Sequence, residues 1–221
     1  VQGLMTRRAF NLPDGGNLVY LDGLYYETRA NVNANKGIIK GFSGEAQLRF
    51  GEKWSFETNI SFTEGRSSFE VKDDQGAVVF DTLAPLDHIP PMHGFTSLTF
   101  QTKKFKVSGV VRYQGAKTID QYGVSDVKLD GDGNPVIGRS GTEDNLEYSY
   151  WHINPDNGKV VYDGTLAWAT YNLYASWNMT KRFTLNGAVE NITDLHYRPF
   201  ASGVSAAGRN FILSLRVNLS N

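Results

Sequence analysis

The residues best suited to hold a metal are four histidines, His88, His93, His152 and His196, and they stand singly, without the paired spacing of a ligand set. With no cysteine in the chain, neither a thiolate metal site nor a disulfide framework can form. Asp130, Asp132 and Asn134 have the opening spacing of a calcium loop. Pro135 then stands where that loop wants glycine and Gly141 where it wants glutamate, so the segment is expected to be a hairpin turn. Serine, histidine and aspartate are all present, but no Gly-x-Ser-x-Gly nucleophile elbow accompanies them, and no catalysis is assigned. Two sets of residues are suited to ligand binding. Tyr148, Tyr150, Trp151 and His152 form an aromatic cluster able to grip a ligand by stacking, or to pack within its own segment. Arg49, Arg112 and Arg216 could draw in an anion, or pair with nearby carboxylates.

The elements that carry these residues are strands. Tyr171, Leu173, Ala175 and Trp177 alternate with Asn172, Tyr174, Ser176 and Asn178, the period-two signature of a strand with one apolar face. The same pattern sets Phe183, Leu185, Gly187 and Val189 against Thr184, Asn186, Ala188 and Glu190. It also sets Phe211, Leu213, Leu215, Val217 and Leu219 against Asn210, Ile212, Ser214, Arg216 and Asn218. A short strand end is expected over 4–10, and further strands over 38–50, 54–63, from after Gly94 to Gln101, and over 105–114, giving about eight segments in all. Charged residues at every second position, such as Glu190 and Arg216, could not fill a dry core unpaired, whereas a water-filled lumen accommodates them. The chain of 221 residues has no apolar run of membrane-helix length, and its mean hydropathy of −0.36 does not separate a soluble protein from a membrane barrel, which hides its apolar residues at alternate positions.

Three short polar turns, Gly51-Glu52-Lys53, Thr102-Lys103-Lys104 and Thr180-Lys181-Arg182, are each bracketed by aromatics: Phe50 and Trp54, Phe100 and Phe105, Trp177 and Phe183. That layout is expected of an interfacial girdle, with all three turns on one membrane side. The opposite ends carry long connections over 67–89, 119–164 and 195–208, so the short turns are assigned to the periplasmic side. Leu18 to Thr28 is expected to be a long exposed loop with a possible hairpin, and the turn formers at 73–76, 130–134 and 154–158 are expected to be tips of surface hairpins.

Several of these segments together resemble a known family. Val189-Glu190-Asn191-Ile192-Thr193-Asp194 with Tyr197, then Gly208-Arg209-Asn210-Phe211 opening a last alternating strand, resembles the C-terminal end of TonB-dependent outer-membrane receptors. Gly41-Phe42-Ser43-Gly44-Glu45 and Ile89-Pro90-Pro91 are similar to further segments of that family. The resemblance implies that residues 1–221 are the C-terminal portion of a barrel of about 22 strands, with the plug domain absent from this chain. It implies uptake of a scarce ligand, an iron siderophore or haem, with TonB acting through an N-terminal region absent here, in the outer membrane of a Gram-negative bacterium. No cofactor is implied. Two other readings stay open at this point: a small closed eight-stranded outer-membrane barrel with a structural or adhesive role, and a soluble ligand-binding β-sandwich.

Two features depart from a complete member of that family. The chain opens Val1-Gln2-Gly3-Leu4-Met5, without a signal peptide, which reads as a processed or truncated chain. It ends Val217-Asn218-Leu219-Ser220-Asn221, where such barrels end in an aromatic residue. Lys plus Arg total 22 against 23 Asp plus Glu, with the basic residues dispersed, so a nucleic-acid partner is not expected.

Overall fold

Alternating apolar and polar residues bounded by tight turns give antiparallel ladders, and ladders account for nearly all of the structure. The computed structural model describes residues 5–9, 12–13, 15–33, 37–72, 78–86, 88–129, 135–139 and 150–219. Two small pairs open the chain: β1 (Met5–Ala9) with β4 (Arg29–Asn33), and β2 (Leu18–Leu21) with β3 (Leu24–Glu27). The hairpin β2–β3 occupies the segment 18–28, where an exposed loop with a hairpin was one of the expectations.

The main sheet follows. It is built from β5 (Gly37–Phe50), β6 (Trp54–Lys72), β7 (Val78–Pro85), β8 (His93–Gln101) and β9 (Phe105–Gln114), then β14 (Trp168–Asn178), β15 (Phe183–Glu190) and β16 (Asn210–Val217). Between β9 and β14 lie two further hairpins, β10 (Val124–Leu129) with β11 (Pro135–Arg139) and β12 (Tyr150–Ile153) with β13 (Val160–Gly164). The main sheet has eight strands in the order β16-β15-β14-β9-β8-β6-β5, with β7 off this path beside β6. The lower half of β6, from Trp54 to Ser61, pairs with β8, and its upper half, from Arg66, pairs with β7. The connection expected over 67–89 is thus a continuation of the ladder beyond the strands of the arc. The sheet is open: β5 and β16 end the path and do not pair with each other, as a closed eight-stranded barrel would require.

Burial is inverted relative to a soluble protein. Among the described residues the buried apolar side chains are Ala84 and Tyr122, whereas Ser97, Gln114, Lys117, Thr165, Thr170, Asn172 and Asn191 are buried polar ones. On β14 the apolar Tyr171, Leu173 and Trp177 are exposed while Thr170 and Asn172 between them are buried. A β-sandwich would bury its apolar rows between two sheets. A row of exposed leucines and aromatics running across the sheet wants hydrocarbon as its solvent, so the sandwich reading is set aside.

The apolar band has measurable limits. On β6 it runs from Trp54 to Phe62, both exposed, a length of roughly 26 Å at strand rise. Immediately above it Glu64 meets Lys40 at 3.1 Å and Arg66 at 3.0 Å on the same face. Below it the girdle is built as expected, with Trp54 against Phe100 at 5.0 Å and Phe105 stacked on Trp177 at 5.8 Å. The ring pairs sit across adjacent strands because the register places Trp54 opposite Phe100 and Trp177 opposite Phe105.

One glycine in this band is required by its neighbours. The Tyr113 ring lies across Gly94 and its hydroxyl donates to the Asn59 carbonyl at 3.1 Å. A Cβ at position 94 would run into that carbonyl oxygen and stand 2.8 Å from the Tyr113 hydroxyl. Gly94→Ala is expected to lower stability by about 1–3 kcal/mol through overpacking, read from thermal unfolding in detergent. Gly109→Ala, where a Cβ meets nothing within 4 Å, is expected to change it little.

Candidate functional site

The polar face of the sheet lines an open cavity of about 1010 Å³ that runs from Lys106 and Ser176 near the short turns up to Gln114, Trp168 and Phe200 at the other end. Strand register builds its wall. His93 of β8, Gln114 of β9 and Trp168 of β14 lie in one row, and one step down Arg112 lies between Phe95 and Thr170. Period-two alternation forces Arg112 and Gln114 onto the same face. Further down, Tyr174 of β14 donates its hydroxyl to Glu190 at 2.8 Å, and Asn210 supports the other carboxylate oxygen at 3.4 Å.

The segment 191–209 closes over this wall, and Asn191 is its fixed point. Asn191 has a left-handed backbone with φ of 47° and is 4% exposed. Its backbone N–H donates to Asn172 Oδ1 at 2.9 Å, its Nδ2 donates to the Leu195 and Ala207 carbonyls at 2.8 and 3.3 Å, and its Oδ1 accepts from Leu195 N–H at 3.0 Å. Asp194 accepts from Arg209 N–H at 2.7 Å, so the two ends of the segment are clasped together. From this clasp the segment reaches back over the sheet. Tyr197 packs on Trp168 at 4.3 Å, Arg198 lies over the Tyr150 ring at 4.9 Å, and Phe200 N–H donates to Gln114 Oε1 at 3.0 Å.

Phe200 ends in a cationic and aromatic box. The Lys117 ammonium sits 4.5 Å from the Phe200 centroid and 4.9 Å from that of Tyr122, and donates to the Ile89 carbonyl at 2.7 Å. The Tyr122 hydroxyl shares a 2.6 Å hydrogen bond with Thr165 Oγ1. Burial holds the Tyr122 phenol above its ordinary pKa, against the opposing pull of that hydrogen bond and of the Arg198 charge.

Two buried donors in this wall have no protein acceptor: Gln114 Nε2 and Trp168 Nε1. A buried N–H without a partner costs about 1–3 kcal/mol. Both residues line the cavity together with Arg112, which makes no ion pair within 4.0 Å among the described residues. The lining therefore carries two cations, Arg112 and Lys106, against one carboxylate, Glu57, and holds two buried N–H groups without a protein partner, a balance that leans towards an anionic ligand rich in oxygen acceptors.

The structure redistributes the residues expected to bind. Arg112 lines this cavity. Arg49 and Arg216 do not: Arg49 lines a separate cavity beside the short turns, and Arg216 faces Thr184 one step from the third turn. Among the described residues neither makes an ion pair within 4.0 Å with a carboxylate; the residue opposite Arg49 is Ser55. Of the aromatic cluster, Tyr148 lies outside the described residues, as does the turn at 130–134. Trp151 and His152 are consecutive on β12 and point to opposite sides, so the cluster is not one stacking face. Trp151 is half exposed opposite Tyr162, and His152 Nδ1 meets Asp163 at 2.9 Å. Tyr150 alone connects to the cavity wall, through Arg198. Gln114, Trp168, Lys117 and Phe200 were not singled out from sequence. Tyr197 was visible there, but only as part of the resemblance.

An open arc of antiparallel strands with an apolar outer face, a polar inner face, short turns at one end and long connections at the other has the fold of a portion of a TonB-dependent receptor barrel. Among solved structures the chain is similar to the copper transporter OprC, with a TM-score of 0.55 at 14% identity over 98% of this chain and 27% of that one. It is similar to the ferric enterobactin receptor PfeA of Pseudomonas aeruginosa, with a TM-score of 0.52 at 15% identity over 98% of this chain and 27% of that one. The pyoverdine outer membrane receptor FpvA of Pseudomonas aeruginosa PAO1 gives a TM-score of 0.50 at 15% identity over 99% of this chain and 26% of that one. The chain thus spans about a quarter of the length of these structures. No protein-family model matches the sequence, and no curated protein matches it.

Proposed function

We propose that this chain is the C-terminal barrel portion of an outer-membrane receptor that takes up a scarce, anionic, acceptor-rich ligand, an iron siderophore or haem, with TonB supplying the work through a region outside these 221 residues. The observation that carries the reading is the cavity lining, where Arg112 and Lys106 outnumber Glu57 and where Gln114 and Trp168 keep buried N–H groups that no protein acceptor satisfies. The ligands named for the solved structures, ferric enterobactin and pyoverdine, support the ligand class. The chain acts by binding and passage, in the outer membrane of a Gram-negative cell with the short turns in the periplasm. The cavity wall binds the ligand's oxygens, and the segment 191–209 holds the wall in shape through Phe200 and Gln114.

Removing the charge tests this. Arg112→Gln is expected to weaken binding of a ferric siderophore or haem by about 10- to 150-fold, the worth of a charge-assisted hydrogen bond. Arg66→Gln, an equal loss of charge on the outer face, is expected to change it less than twofold. The measurement is ligand titration of the intact protein in detergent against a panel of ferric siderophores and haem. Equal losses in both variants, or no binding of any member of the panel, would overturn the reading.

A further inference from the structure

The short-turn end carries a second site, and it is basic. Each of the three short turns contributes cations at its tip: Lys53 in the first, Lys103 and Lys104 in the second, Lys181 and Arg182 in the third. Between the first two turns lies a cavity of about 880 Å³ lined by Arg49, Lys53, Lys103 and Lys104 against a single acid, Glu52. None of these four cations makes an ion pair within 4.0 Å among the described residues.

The cavity is held by backbone and not by chance contact of long side chains. Gln101 N–H donates to the Lys53 carbonyl at 2.7 Å, which ties the first turn to the second. Thr102 Oγ1 accepts from Lys104 N–H at 3.3 Å and from Phe105 N–H at 2.9 Å, which sets the shape of the second turn. Asn178 then donates to the Lys104 and Lys103 carbonyls at 2.8 and 3.2 Å, which ties the third turn to the second. Trp54 and Phe105 belong both to the cavity wall and to the aromatic row that begins the apolar band. A ligand seated here would have its charge among ammonium and guanidinium groups and its next few atoms at an aromatic row leading into hydrocarbon.

We propose that this cavity binds the headgroup of an anionic glycerophospholipid of the leaflet that meets the short turns. Its phosphate would sit beneath the strand ends among Lys53, Lys103 and Lys104 of the turn tips, with Arg49 reaching round from the polar face, its glycerol against Trp54 and Phe105, and its acyl chains along the exposed apolar face above them. Lysine stems favour this geometry because they can lie along apolar surface with the charge at the polar boundary. A zwitterionic headgroup is disfavoured, since its own ammonium would meet four cations and one acid. The proposal reassigns Arg49 from the uptake ligand to the lipid and goes beyond the uptake reading: it needs only the membrane placement of the sheet.

The test is native mass spectrometry of the intact protein extracted from its own membrane and offered phosphatidylglycerol, phosphatidylcholine or lipopolysaccharide. Phosphatidylglycerol is expected to be retained over phosphatidylcholine by tenfold or more. Loss of a cation near a charged lipid surface corresponds to about fivefold in affinity, so Arg49→Gln should weaken phosphatidylglycerol binding about fivefold and the double variant K103Q/K104Q about 25-fold. Lys181→Gln, on the third turn outside the cavity, should stay within twofold. Thermal unfolding of each variant in detergent confirms that the barrel is intact. Equal retention of the two phospholipids, or a loss in Lys181→Gln as large as that in Arg49→Gln, would replace the site with diffuse surface charge and overturn the proposal. Preferential retention of lipopolysaccharide would overturn it as well, by placing this end in the other leaflet.

Discussion

Leu213→Arg is expected to stop stable insertion of this chain into a bilayer. Leu213 lies in the middle of β16 opposite Gly187, on the face shared with Phe211 and Leu215, and is 77% exposed. Nothing among the described residues covers it, and its row of apolar neighbours suits a hydrocarbon surrounding. An arginine on the lipid face at mid-bilayer costs about 2–4 kcal/mol, which at the marginal stability of most folds moves most of the population off the inserted state. Leu215→Arg should behave similarly but less severely, being closer to the short-turn boundary where the guanidinium can reach water. Ser214→Arg is the discriminating control. It sits between them on the polar face beside Asn186 and should insert normally. Folding into lipid vesicles, followed by protection from protease, reads all three. Insertion of Leu213→Arg at the parental yield would mean that the outward face has been assigned to the wrong side of the sheet.

Asn191→Ala is expected to detach the segment 191–209 from the cavity wall. The side chain makes three hydrogen bonds within a buried site, to Leu195 and Ala207, and its backbone takes a left-handed conformation that asparagine tolerates better than alanine. Three bonds at about 1 kcal/mol each and a strained alanine sum to about 3–4 kcal/mol. Because the loss is local, the arc of strands should survive while Tyr197, Arg198 and Phe200 leave Trp168, Tyr150 and Gln114. Hydrogen exchange at Leu195, Phe200 and Arg209, whose N–H groups are bonded to Asn191, Gln114 and Asp194, should speed up by about two orders of magnitude. Asn191→Asp keeps the Oδ1 acceptor but lacks the Nδ2 donor, and should show an intermediate effect. Unchanged exchange in Asn191→Ala would show that the segment is held by its aromatic contacts instead.

These two residues also mark what sequence could and could not say. Leu213 was legible. Alternation with a period of two is a property of a few consecutive residues, so it assigns each side chain to a face before any partner is known, and the aromatic pairs around Gly51, Thr102 and Thr180 located the turns in the same local way. The sign of the faces followed from charge: Glu190 and Arg216 on one side, leucines and aromatics on the other. The family resemblance then fixed the scale of the barrel to which such strands belong, and the fold agrees with it.

Height along the strand was only partly legible. Arg49, Arg112 and Arg216 share the polar face, and sequence grouped them for that reason, yet the register puts Arg49 and Arg216 at the short turns and Arg112 near the far end. Proximity to Gly51 was a readable sign for Arg49. The double pairing of β6, with β8 below and β7 above, could not be read from alternation, which says nothing about which neighbour a strand takes.

Apart from Arg112, the make-up of the cavity wall belonged to tertiary structure. Gln114 and Phe200 are 86 residues apart and meet through one hydrogen bond, and Asn172 and Asn191 meet across 19. Gln114 Nε2 and Trp168 Nε1 lack partners only because of what surrounds them after the segment 191–209 has folded over. Sequence by itself determined the faces, the turns and the solvent each face requires, because those follow from residue type at fixed local spacing. Only the tertiary structure decided which polar groups converge on one space and which stay unsatisfied there, because that depends on strand register and on contacts between residues far apart in the chain.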